Sequence, residues 1–436
     1  MKLDERAQRA ATGVRRQLDA LEVPDSRVLL RRARRRRWIA RTMAVTTIGA
    51  TTVVGVIVTT DDTDRARIQV GNTRSRELPS GALTRGGWAS VPKDAAGLGA
   101  GSSFHTVTSD GQSVLLAGAR QAADGGGPAI WRSDDGLHWV EVERPSPSGV
   151  VNAITLAGGV AVAVGSDGAD GNSAATSFVW RSEDGGRTWT EIARGSDLFG
   201  PPAPQMGRPF VSGLLHRDDR WVAYGGASNG YAGIWVSRDG KRWEQTLSSD
   251  TAGSVERIVE GSDGDLFAYW SLVGWYASDP SSWGEPTSLS APSRVYPSSV
   301  APGADLAVGS NIDRHGVPTP LLRSGDGGRS WTSDDSFLAQ FPDAWVWSID
   351  RAAGLWVGAG TSGEPNHPDA WVSAEDGVWH RLPEQLYGPP GGTLSLVAAT
   401  GDEIVLIGTA PELDRYYVLD ARAVRESGAG SGGSND

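Results

Sequence analysis

Ser182-Glu-Asp-Gly-Gly-Arg-Thr-Trp189 is a polar turn closed by a tryptophan, and the chain returns to it again and again. Further copies run Ser133-Asp-Asp-Gly-Leu-His-Trp139, Ser237-Arg-Asp-Gly-Lys-Arg-Trp243, Ser324-Gly-Asp-Gly-Gly-Arg-Ser-Trp331 and Ser373-Ala-Glu-Asp-Gly-Val-Trp379, with a degenerate copy from Ser278 to Trp283. The closing tryptophans stand at 139, 189, 243, 283, 331 and 379, at intervals of 40 to 54 residues. Self-similarity at that period means a propeller, a solenoid or an array. Each full copy has a mechanical reading. Each opens on a serine (Ser133, Ser182, Ser237, Ser324, Ser373), and its aspartate (Asp135, Asp184, Asp239, Asp326, Asp376) holds backbone N–H groups of its own turn. Glycine supplies a positive φ, and the tryptophan (Trp139, Trp189, Trp243, Trp331, Trp379) buries a large ring between neighbouring sheets.

Ahead of every box lies a short, β-branched apolar run, such as Val114–Ala117, Val160–Val164, Trp221–Tyr224 and Leu355–Val357, too short for a helix. A second turn signal precedes each run, for example Asp110-Gly111, Gly158-Gly159 and Asp263-Gly264. The last of these, Gly401-Asp402 before Ile404–Ile407, has no box after it and makes a seventh unit. Strand, turn, buried strand, loop, strand, box and closing strand amount to four antiparallel strands per repeat, one propeller blade. The seventh unit ends at Tyr416–Asp420 without a fourth strand, and Trp88-Ala-Ser-Val91, which begins like the other closing strands, fits that place. Such a closure removes open sheet edges. The expected fold is therefore all-β, a seven-bladed propeller over residues 88–425.

Upstream, the character of the chain changes. Residues 1–41 carry 13 Lys+Arg against 5 Asp+Glu, although the whole chain has a net charge of −11. Residues 42–60 are uncharged and long enough, at ~1.5 Å per residue, to cross a bilayer as a helix. The run Arg31–Arg37 lies before them and Asp61-Asp62 after, so the positive-inside rule puts the N-terminus in the cytoplasm and the propeller outside the cell membrane. Other readings of this stretch are a cleaved signal peptide, a twin-arginine export signal and a nucleic-acid-binding patch. The organisation read from the sequence is a cytoplasmic basic segment (1–37), a transmembrane helix (38–60), an extracellular spacer (61–87), the propeller (88–425) and a disordered Gly/Ser tail (426–436). Within the first segment, Leu3, Ala7, Ala10, Val14, Leu18 and Leu21 share one helical face, so residues 3–21 offer a surface to a cytoplasmic protein partner. The chain has no Cys, which excludes disulfide staples and thiol chemistry.

The boxes resemble the Asp-box, or BNR, repeat of sialidases, sortilin-type receptors and photosystem II assembly factors. The resemblance covers about residues 88–423 and implies the propeller fold. It further implies that ligands are taken on the face opposite the box turns, by loops between second and third strands and between blades. On those loops stand Arg314, His315, His367, Asp369 and Arg415, the candidate ligand-binding residues. The leading expectation is an extracellular propeller that binds a glycan or a protein and serves as a sensor. A sialidase-like glycosidase is the alternative: it needs an arginine cluster, a tyrosine nucleophile and an acid, and Tyr387, Tyr416, Asp313 and Asp369 supply the last two types. The Arg-Ile-Pro signature of sialidases is absent, Trp88-Ala-Ser-Val-Pro-Lys-Asp94 standing in its place. The N-terminal layout is also similar to single-pass anti-sigma regulators. No cofactor, metal or nucleic acid is expected; Asp167-Gly-Ala-Asp-Gly-Asn172 has oxygen ligands of the kind calcium takes, but this is also ordinary turn chemistry.

Overall fold

The computed structural model describes residues 78–429, apart from positions 86, 100–101, 121–126, 147–148, 168–175, 196, 201–208, 228–230, 251–252, 293–294, 312–319, 364–365, 375–377, 388–389, 391 and 409–413. The cytoplasmic segment, the expected membrane span and most of the spacer lie outside the described residues. Among the described residues no helix is long and apolar enough to cross a membrane.

Seven antiparallel sheets follow one another along the chain, six of four strands and one of five. Their innermost strands are Ser103–Ser109, Val150–Ala157, Pro209–Arg217, Arg257–Glu260, Val295–Val300, Ala344–Ala352 and Leu394–Thr400. The innermost strands pack on one another around the ring, except that the strand of blade 4 meets the second strand of blade 3 (Arg220–Ala227), and that of blade 7 returns to that of blade 1. The ring is closed by Trp88–Pro92, which pairs antiparallel with Arg415–Asp420, Trp88 opposite Leu419 and Val91 opposite Tyr416. The fourth strand of blade 7 thus comes from the start of the propeller, as expected. Two boundaries differ from the sequence reading. Leu83–Arg85, placed in the spacer, adds a fifth strand to blade 7, because the chain doubles back at Gly87 (φ 93°) onto Trp88. Residues Ala421–Ala429 are helical and carry the chain past the start of the expected tail, with Val424 packed into the core.

The core lies between blades. In one cluster Leu115 and Ile130 of blade 1 pack on Ile154, Trp180 and Trp189 of blade 2; in another Val107, Trp131 and Trp139 of blade 1 pack on Val405, Tyr416 and Val418 of blade 7. Four closing tryptophans are buried, while Trp243 is half-buried and its indole N–H donates to the Gly240 carbonyl at 3.0 Å. In the blade 2 box, Ser182 Oγ accepts from Gly186 N (2.8 Å), and Asp184 Oδ1 accepts from Arg187 N and Thr188 N (2.9 Å each). Asp376 of the fifth box lies outside the described residues. Gly185 N of this box donates to Gly159 O in the turn between the first two strands of the same blade, so both turns share one face. Second-to-third-strand loops and blade connectors form the opposite face, where every innermost strand begins.

A second repeat, in glycine, shapes the centre of the ring. Gly118, Gly165, Gly225, Gly309, Gly360 and Gly408 lie toward the ends of the buried second strands, and opposite each the innermost strand bulges by one residue. A Cβ on Gly118, Gly165 or Gly360 would come within 1.9–2.2 Å of the bulging strand's carbonyl oxygen, so the bulge fits only over glycine. Blade 4 has Trp270 at this place and a short, regular inner strand that begins after Glu256.

Candidate functional site

The bulges insert His105, Asn152, Ser212, Ser298, Trp347 and Ser395 into the innermost strands close to where these begin, and Glu256 occupies the same level in blade 4. Together they border the mouth of the central channel on the face opposite the boxes. Their neighbours in the chain are buried: Phe104 and Thr106 beside His105, Val151 and Ala153 beside Asn152, Val346 and Ser348 beside Trp347. The bulge residues His105 and Asn152 are only partly buried, and Trp347 is 44% exposed. Trp347 stacks on Trp345, with ring centroids 6.2 Å apart and planes 27° apart. Phe210, on the innermost strand of blade 3, is 37% exposed. Blades 3 and 6 are three steps apart in a ring of seven, so Phe210 and Trp347 stand on opposing sides of the mouth.

Deeper in, a buried ion pair joins blades 4 and 6. Arg257 of blade 4 reaches past blade 5 to Asp350 of blade 6, Nη2 to Oδ2 at 2.6 Å, with the two residues only 5% and 1% exposed. Tyr224 and Tyr269 pack beside this pair from the second strands. Gly213 gives Tyr224 its room, since a Cβ there would lie 2.0 Å from the ring, and Tyr269 Oη accepts from Val300 N at 3.0 Å. Burial pushes the Glu256 carboxyl up to about 8 and the Tyr269 hydroxyl upward as well. Burial holds the His105 imidazole below its usual value. At neutral pH both His105 and Glu256 are therefore uncharged. No hydrogen bond among the described residues occupies the side chain of His105, Asn152 or Glu256.

Of the residues singled out in the sequence, His367, Asp369 and Arg415 lie elsewhere on the same face. Arg314 and His315 fall outside the described residues. His367 and Asp369 meet at Tyr387: the His367 and Tyr387 rings stack at 5.5 Å, and Tyr387 Oη donates to Asp369 Oδ2 at 2.8 Å. Arg381 Nε donates to the same carboxylate at 2.5 Å while its Nη2 donates to Asp343 at 2.8 Å. Asp369 has no exposure, and burial lifts its carboxyl to about 6 against the pull of Ser362, Arg381 and Tyr387. Arg415 joins the closure: Nε donates to Ser90 Oγ at 2.7 Å and Nη2 to the Gly81 and Ser90 carbonyls at 2.8 Å each. It shares no hydrogen bond with the other two. Asp167 accepts from Thr176 N at 2.7 Å and pairs with Arg194 at 3.1 Å, and among the described residues no three His, Asp or Glu gather as a metal site.

Two open grooves of about 420 and 400 Å³ lie along the boxes, the first lined by Arg132, Asp134, His138, Val140 and Arg187, the second by Arg220, Asp239, Arg242 and Trp243. Their charged groups largely pair within the protein, Arg132 with Asp134, His138 with Asp135 at 2.9 Å and Arg220 with Asp279 at 2.9 Å. The channel mouth has the opposite character, with exposed aromatic rings and unengaged polar groups, and it was missed in the sequence because its residues sit inside strands. The glycine near the end of six of the seven buried strands was the available signal.

No protein-family model matches this chain, and no curated protein does. By structure it is similar to a streptogramin B lyase, with 13% identity and a TM-score of 0.50 over 76% of this chain and 97% of that one. It is also similar to an α-L-arabinanase of Penicillium chrysogenum complexed with arabinobiose, with 16% identity and a TM-score of 0.41 over 63% and 94%. An α-L-arabinofuranosidase of Fusarium graminearum matches with 15% identity and a TM-score of 0.43 over the same shares. Likeness at this identity is one of fold, and by the strand order above the fold is a seven-bladed β-propeller.

Proposed function

We propose that this protein is a membrane-anchored, extracytoplasmic binding propeller of the Asp-box kind, which takes a carbohydrate or polypeptide ligand at the channel mouth opposite the box turns. Trp347 carries the reading: flanked by buried neighbours on an innermost strand, it is 44% exposed, and Phe210 stands across from it. Large rings gathered at a concave opening with a few unengaged polar groups are what ligand sites are built from. The anchor is the uncharged run 42–60 behind Arg31–Arg37, and residues 3–21 are the part able to report binding to a cytoplasmic partner.

A sialidase-like hydrolase is the weaker reading. The contact of Tyr387, Asp369 and Arg381 favours it, since these are the residue types such chemistry uses. Asp369 is fully buried, however, and Arg381 is engaged by two carboxylates, which leaves there neither a reachable acid nor a guanidinium free to hold a sugar carboxylate. To test the binding reading, the full-length protein in detergent micelles is applied to an array of glycans and secreted polypeptides. Saturable binding that Trp347→Ala abolishes is expected; binding that survives this substitution overturns the proposed site.

A further inference from the structure

We propose that the occupant of the channel mouth is an uncharged saccharide, its ring flanked by Phe210 and the Trp345–Trp347 pair and its hydroxyls bonded to His105, Asn152 and Glu256. This rests on the binding reading above and narrows it to one ligand chemistry.

The rings supply the first part of the argument. A sugar has apolar C–H faces that pack on aromatic rings, and two exposed aromatic surfaces stand on opposing sides of the opening. The polar groups supply the second. Sugar hydroxyls both donate and accept, so they are best matched by side chains that do the same. A neutral imidazole, a carboxamide and a protonated carboxyl are three such groups, and the mouth presents one of each on blades 1, 2 and 4. All three are without a protein partner among the described residues, and a ligand able to bond with them relieves that loss.

Charge excludes the neighbouring ligand classes. Burial keeps His105 and Glu256 uncharged near neutrality, and the cation beneath them, Arg257, is buried with its charge offset by Asp350 through Nη2. An acidic sugar or a peptide carboxylate would thus be desolvated where the cation is buried and its charge is already offset by Asp350, next to a protein of net charge −11. A quaternary ammonium group would enjoy the aromatic rings but has no hydrogen-bond donors or acceptors for the three polar groups.

Titration calorimetry on the full-length protein tests this, with neutral pentose and hexose oligosaccharides, the matching hexuronate oligosaccharides, a short acidic peptide and choline as probes. At least one neutral series is expected to bind, with its hexuronate counterpart about tenfold or more weaker. Trp347→Ala and Phe210→Ala should each weaken it by about tenfold or more. Glu256→Gln, which keeps an uncharged donor and acceptor, should hold the affinity within about threefold, while Glu256→Lys should lose it. Preference for the hexuronate, the peptide or choline with the same dependence on Trp347 overturns the saccharide inference and leaves the channel-mouth reading standing. Neutral-sugar binding indifferent to both Trp347 and Phe210 overturns both, and the absence of binding by every neutral probe overturns the inference.

Discussion

Trp270 stands where six other blades have a glycine, and this one residue separates blade 4 from the rest. Elsewhere the glycine lets the innermost strand bulge; in blade 4 the strand stays regular and Glu256 arrives at the channel mouth without a bulge. Its carboxyl is raised from an ordinary 4.5 to about 8, and the cause is burial with no compensating partner. In the unfolded chain the proton leaves near the ordinary value, whereas in the folded protein it stays until about pH 8. The folded state therefore binds more protons over this window, and stability present in acid is lost as pH rises toward 8. Asp369 acts with the same sign at lower pH, up to about 6. His105, lowered by burial, has the opposite sign and costs stability only as pH falls through its unfolded value. Between about pH 6.5 and 8 the fall carries the Glu256 contribution, which substitution separates from that of Asp350, also raised by burial. Stability, and with it the melting temperature, should fall across this interval, and Glu256→Gln should flatten the fall by about 1 kcal/mol, a figure reduced for the partial exposure of the side chain. An equally steep fall in the variant would show that the carboxyl is not held neutral. The box aspartates were legible from their motif because their partners are local; Asp184 bonds residues of its own turn, which hold it at about 2 although burial works to raise it. Glu256 and Asp350 were not legible, since their surroundings come from blades far apart in sequence.

Among the elements, the strand Trp88–Pro92 has the most leverage, because it pairs the start of the propeller with its last blade. Its pairing with Arg415–Asp420 was legible from a missing fourth strand and a stretch that begins like the others. The part of Arg415 was not: a loop arginine facing the ligand side looks the same in sequence whether it waits for a ligand or, as here, binds Ser90 and Gly81. Deleting Trp88–Pro92 removes Trp88, Ala89 and Val91 from the buried core and reopens the edge of blade 7. Thermal unfolding should occur about 10 °C or more lower, the scale expected for a loss of several kcal/mol in a domain of this size. An unchanged transition would mean that the ring does not depend on its closure.

For the molecule as a whole, the arrangement separates two tasks by face. The box face is stitched by local hydrogen bonds and by glycines seated against the neighbouring blade, as Gly186 is against Leu115, where a Cβ would come within 2.4 Å. The opposite face opens on a channel whose floor is the Arg257–Asp350 pair and whose rim holds exposed rings. The fold was readable because the repeat states each blade's turns in order, and periodicity survives one degenerate copy. The site was readable only in its face, because a central channel gathers single residues from many blades and no local motif records the gathering. Oxidative footprinting of the full-length protein, with and without a ligand returned by the array, tests the central claim most directly. Protection of Trp347, Phe210 and His105, with His138 and Trp243 on the box side oxidised as before, is the result predicted here; protection of His138 and Trp243 with Trp347 left reactive would contradict it.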